Sequence, residues 1–127
     1  MTPDEILEID AERNYPPGIE AGHLRAEIND FLRKRGHIVQ QGDTLIMFKN
    51  SDGDKDVEFH TFNADSPQNL ISNVMKFLVL AKKLGYETAT TQYENPKIGE
   101  LFKQGASKGY EVSVSKKDGF YEAKVRL

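Results

Sequence analysis

Val57-Glu58-Phe59-His60-Thr61-Phe62-Asn63-Ala64-Asp65-Ser66-Pro67-Gln68-Asn69-Leu70-Ile71-Ser72-Asn73-Val74 changes its period midway, and that change decides the fold. In the first part Val57, Phe59 and Thr61 alternate with Glu58 and His60, the two-residue period of a strand over residues 56–62. Beyond it, Leu70, Ile71, Val74, Phe77, Leu78, Ala81 and Leu84 make one broad apolar face, the period of a helix over residues 70–84. Ser66 stands where a cap is needed, Pro67 takes the first helical position, and Gly85 closes the helix. A threonine-rich strand follows over residues 86–93. Strand, helix and strand make a crossover unit, the connection that parallel neighbours require.

Downstream, Asn95 caps a second helix that begins at Pro96, with Ile98, Leu101 and Phe102 inward and Gly105 or Gly109 at its end. Residues 110–115 and 120–125 read as strands around Lys117-Asp118-Gly119, a hairpin signal. Upstream, residues 19–35 place Leu24, Ile28, Phe31 and Leu32 at helical spacing. Arg33, Lys34 and Arg35 fill the last turn of that helix, where cations suit its dipole, and Gly36 is expected to close it. Residues 37–40 and 44–49 are strands joined by Gln41-Gly42-Asp43. The polar turn at residues 50–54 leads into the strand at 56–62, which completes an antiparallel meander. That turn resembles a calcium loop only at its start, since its twelfth position is Thr61 and not glutamate. At the N-terminus, Thr2-Pro3-Asp4-Glu5 has the form of a capping box opening a short helix, and Tyr15-Pro16-Pro17-Gly18 breaks the chain after it. The expected fold class is α/β (α+β): a mixed central sheet with helices on both faces, in the order α-β-β-β-α-β-α-β-β over residues 19–127. Residues 1–18 form an N-terminal extension.

Composition narrows function. The chain of 127 residues has the size of one domain. Lys+Arg is 17 against Asp+Glu 20, a net charge of -3, which argues against a general nucleic-acid binder. There is no cysteine, so disulfides, thiolate zinc sites and cysteine nucleophiles are excluded. A cysteine-free chain without a basic, apolar leader fits the cytoplasm. The most apolar stretch, residues 70–84, is too short to span a membrane and carries Lys76, Lys82 and Lys83. No Gly-x-Ser-x-Gly or P-loop is present. His23 and His37 lie in segments remote from His60, so no three-histidine metal site is expected.

The element order resembles that of the GNAT superfamily of acetyl-CoA-dependent N-acetyltransferases. Asn95-Pro96-Lys97-Ile98-Gly99-Glu100-Leu101-Phe102, followed by Gly109-Tyr110-Glu111, is similar to that family's Asn-x5-Leu-Tyr helix and its Gly-Phe step into the next strand. Gln68-Asn69-Leu70-Ile71-Ser72-Asn73 falls where the family has a Gln/Arg-x-x-Gly-x-Gly/Ala turn that holds a diphosphate at a helix N-terminus. The resemblance therefore implies a coenzyme A region built from Gln68, Asn69, Leu70, Ile71, Ser72, Asn73, Asn95 and Phe102. It also implies a base on the strand before the long helix, for which Glu58 and His60 share one face. Ile71 and Asn73 replace the two glycines, and Phe102 replaces the tyrosine that protonates the departing thiolate. Tyr93 and Tyr110 are the phenols that stand nearest in sequence.

Those departures point first to a non-catalytic GNAT-like assembly or binding module without a cofactor, its partner being another protein or a second copy. The chain is similar in this respect to small GNAT-like accessory and virion proteins of bacteriophages, which would place it in host cytoplasm or virion. The alternative is an acetyl-CoA-dependent N-acetyltransferase with Glu58 or His60 as base. A third reading is a small-molecule or peptide binder in the cleft where the parallel strands part, lined by Phe62, Tyr93 and Asn95.

Overall fold

The computed structural model describes residues 1–51, 55–106 and 109–127. Its elements run α1 (Pro3–Asn14), α2 (Ala21–Arg33), β1 (His37–Gln41), β2 (Thr44–Asn50), β3 (Asp56–Asn63), α3 (Pro67–Lys83), β4 (Thr88–Tyr93), α4 (Pro96–Ala106), β5 (Glu111–Lys116) and β6 (Tyr121–Arg126). The expected polar turn after β2 lies partly outside the described residues. The strands form one six-stranded sheet in the order β1-β2-β3-β4-β6-β5. Every neighbouring pair is antiparallel except β3 and β4, which the α3 crossover makes parallel. No helix among the described residues is long and apolar enough to cross a membrane.

The sheet divides the core in two. On one face Ile46, Phe48, Val57 and Phe59 meet Val74, Phe77, Leu78 and Ala81 of α3 and Phe102 of α4. On the other, Leu45, Met47 and Phe62 meet Ile6, Leu7 and Ala11 of α1 and Leu24, Ile28 and Phe31 of α2. Strand β2 is buried on both sides, which is why Leu45-Ile46-Met47-Phe48 is an unbroken apolar run. Helices α1 and α2 pack on β1 to β3. The side of β4, β6 and β5 that carries Thr88, Thr90, Glu122, Lys124, Glu111 and Ser113 is polar.

The helix starts follow the expected chemistry. Thr2 and Glu5 form a capping box on α1. The Asn69 N–H donates to Ser66 Oγ (3.2 Å) at the start of α3. Asn95 Oδ1 accepts from the Lys97 N–H (3.0 Å) at the start of α4. The end of α2 differs from expectation. Arg35, not Gly36, takes the left-handed conformation (φ 66°). Gly36 is needed for space, since a Cβ there would stand 2.3 Å from Cδ1 of Phe31.

Candidate functional site

Strands β3 and β4 stay in register for Asp56 with Thr88, Val57 with Ala89 and Glu58 with Thr90. The Asp56 carboxylate pins this short seam by accepting from the hydroxyls of Thr88 (2.6 Å) and Thr90 (2.9 Å). Beyond Glu58 the strands part. The direction of the freed backbone groups follows from the β2–β3 ladder. The Ala64 N–H donates to the Asp43 carbonyl and the Ser51 N–H to the Asp56 carbonyl, so the even-numbered residues of β3 bond toward β2. By alternation, Phe59, Thr61 and Asn63 turn their N–H and C=O groups toward β4. The Asn63 N–H is taken by the Asp10 carboxylate of α1 (3.0 Å). Thr61 therefore presents a donor and an acceptor to the gap where no strand pairs with it.

Glu58 and His60 stand at the start of this gap on the α1/α2 side. Their side chains meet, Glu58 Oε2 lying 3.1 Å from His60 Nε2, and both are about one-third exposed. Lys49, opposite Glu58 in the β2 register, brings its Nζ 3.4 Å from Glu58 Oε1. The His60 ring packs edge-on against Phe31 (5.8 Å), and Lys49 Nζ lies over the same phenyl (5.1 Å). Glu58 is thus held between an ammonium and an imidazole, with Phe31 fixing both. The other histidines are elsewhere: the Glu20 N–H donates to His23 Nδ1, and His37 leans on Phe48. Among the described residues, no group of histidines and carboxylates is fit to hold a metal.

The stretch read as a diphosphate turn, Gln68 to Asn73, is helix: all six residues lie within α3, and the true connector is only Ala64-Asp65-Ser66. Gln68 and Asn69 are exposed, Ser72 is half-buried, and Leu70 packs on the core. Ile71 and Asn73 are buried, so their side chains pack into the protein. Asn73 Nδ2 donates to Asp65 Oδ2 (2.7 Å) and Thr44 Oγ1 (2.9 Å). Asp65 Oδ2 also accepts from the Asp43 N–H (2.9 Å), and these hydrogen bonds hold its carboxyl below the usual range despite some burial. The buried asparagine thus ties the α3 start to the β1–β2 turn. Arg13 Nη1 donates to the Asp65 carbonyl (3.3 Å), which brings a cation to the same connector.

Helix α4 closes the far side of the gap. Phe102 is buried against Phe59 and Tyr93, and Asn95 is exposed at the helix cap. Tyr93, the last residue of β4, stacks on Tyr121. Its Oη is the buried side-chain polar atom left without a hydrogen-bond partner among the described residues. Gly99 of α4 makes room for it, since a Cβ at Gly99 would lie 2.9 Å from this oxygen. Burial pushes the Tyr93 phenol up, and Tyr121 adds to the effect. The expected cleft lining of Phe62, Tyr93 and Asn95 does not form. Phe62 faces the α1/α2 cluster, whereas Tyr93 packs with the α3/α4 cluster on the opposite side of the sheet. Asp10 has no local signature in the sequence, and nothing local marks the Tyr93 hydroxyl as buried without a partner.

No family model and no curated protein matches the sequence. Solved structures do match the fold. A ribosomal-protein-alanine N-acetyltransferase from Brucella melitensis superposes with a TM-score of 0.60 at 13% identity, over 97% of this chain and 93% of that one. Campylobacter jejuni N-acetyltransferase PseH, in complex with acetyl coenzyme A, gives 0.57 at 19% identity, over 100% and 93%. A Bacillus subtilis acetyltransferase in complex with CoA gives 0.54 at 16% identity, over 100% and 94%. At these identities the likeness establishes a GNAT-like fold, and it extends over α1 as well as residues 19–127.

Proposed function

We propose that the chain binds an acyl-coenzyme A in the gap between β3 and β4 and serves as an N-acyltransferase, with Glu58 and His60 receiving the proton of the acceptor amine. The observation that carries this reading is the parting of the strands at Glu58 and Thr90, with the Glu58–His60 pair beside it. The exposed backbone edge at Thr61 suits the amide-bearing arm of coenzyme A, which offers a donor and an acceptor in an extended chain. The unpartnered Tyr93 hydroxyl is a second group in want of a ligand. Arg13, Gln68 and Asn69 border the α3 N-terminus, where a helix dipole and a guanidinium favour phosphate.

Bound acetyl-coenzyme A would supply a thioester carbonyl for attack by an amine. The residues of this chain then have a defined task. His60 accepts the proton released as the C–N bond forms, and Glu58 orients the imidazole and balances its charge. Phenylalanine at position 102 supplies no proton, so the thiolate is protonated by another group or by solvent. That same Phe102, together with the Lys49–Glu58 pair, favours the second reading, a module that binds without transferring.

Calorimetry with acetyl-coenzyme A and a turnover assay on an amine panel separate the two. Micromolar binding with turnover that Glu58→Gln lowers by about 10²-fold or more at little cost in affinity is the expected result. Binding without turnover selects the second reading. Absence of binding at millimolar ligand rejects the acyltransferase.

A further inference from the structure

We propose that β5 is a dimerisation edge, on which two copies of this chain pair antiparallel about Val114 and join their sheets into one. Strand β5 is an outer strand of the sheet and is exposed along nearly its whole length. It has no proline, and Val114 is 39% exposed. An exposed outer strand of this kind is a template for another strand.

The pairing geometry is fixed by the hairpin. The Lys117 N–H donates to the Phe120 carbonyl (2.8 Å), and the β5–β6 register continues this pairing as Ser115 with Glu122, Ser113 with Lys124 and Glu111 with Arg126. These odd-numbered residues bond inward, so Val112, Val114 and Lys116 direct their N–H and C=O groups to the outside. Only outward-facing positions can exchange hydrogen bonds with a second β5. Centring the pair on Val114 sets Val112 against Lys116 of the second copy. It also sets Glu111 against Lys117 of the second copy, twice by symmetry. The neighbouring centre, Ser113, sets Glu111 against Ser115 and matches no charge. Glu111 is free to change partner, because its contact with Arg126 is long (3.6 Å) and almost fully exposed. The opposite edge, His37-Ile38-Val39-Gln40-Gln41, holds no acid to complement itself.

Sedimentation equilibrium on the full chain tests this. The wild type is expected to dimerise at micromolar concentration. Glu111→Lys and Lys117→Glu each turn both charge pairs repulsive and should weaken the dimer about tenfold or more. An equimolar mixture of the two variants restores opposite charges in the heterodimer and should recover wild-type affinity. Val114→Pro removes an outward N–H and no β6 bond, so it should give a monomer with an unchanged far-UV spectrum. A wild type that stays monomeric at millimolar concentration overturns the proposal. So does a dimer indifferent to Val114→Pro, or single variants that fail to complement. If the proline variant does not fold, the charge exchange still decides.

Discussion

Asp10 and Tyr93 each bury a polar group, one paired and one not. Asp10 is 4% exposed, and burial pushes its carboxyl up against the opposing hydrogen bonds from the Asn63 N–H and Asn14. A carboxyl raised by folding favours the native state in its protonated form. That contribution is fully present below the unfolded pKa and is lost as pH rises through the folded one. Asp10→Asn carries no charge to desolvate. Its denaturation midpoint should exceed the wild type's near neutral pH, and the difference should shrink toward about pH 4. Urea titrations across that range measure it. Tyr93 is the second case, a buried hydroxyl without a partner. Tyr93→Phe should leave stability unchanged or raise it by up to about 1 kcal/mol. The same variant should weaken acetyl-coenzyme A binding if the hydroxyl meets the ligand. Calorimetry beside thermal melts reads both.

At the scale of elements, what the sequence made legible was the helix starts and the strand periods. Ser66 with Pro67, Asn95 with Pro96, and Thr2 with Glu5 each announce a helix through local hydrogen bonds, and all three form. The alternation that placed Glu58 and His60 on one face also brings them into contact. What sequence could not convey was direction in space. Ile71 and Asn73 read as obstructions at a ligand mouth, yet helical phase turns both inward. Phe62 and Tyr93 read as neighbours across a cleft, yet they lie on opposite faces of the sheet. Arg35 takes the left-handed turn that Gly36 was expected to supply, because Gly36 is committed to the Phe31 ring. Asn73 holds the α3 start by donating to Asp65 and Thr44. Asn73→Ala should therefore cost about 1–3 kcal/mol and leave a less acidic Asp65. Chemical denaturation and carboxyl NMR titration test the two effects separately.

Across the whole molecule, the sheet order and the two-sided core follow from a meander, a crossover and a hairpin, and each was marked in the sequence. The packing of α1 was not, since its apolar residues Ile6, Leu7 and Ala11 are few and its polar residues many. Those three cover Leu45, Met47 and Phe62, so removal of residues 1–18 should uncover that cluster. The loss should be about 3–6 kcal/mol from Ile6 and Leu7 alone. Dye binding and loss of dispersed methyl resonances would report it, whereas a truncated chain with wild-type spectra would contradict the packing. The seam of Asp56 to Glu58 with Thr88 to Thr90 has a kinetic meaning. Strands β1 to β3 form from neighbouring chain, and so do β5 and β6, but the seam must close across the whole of α3. It is the hinge line between two separately zipped halves, and its few rungs are the natural place for the sheet to breathe. The Thr90 amide should therefore exchange with solvent ahead of amides in the middle of β2.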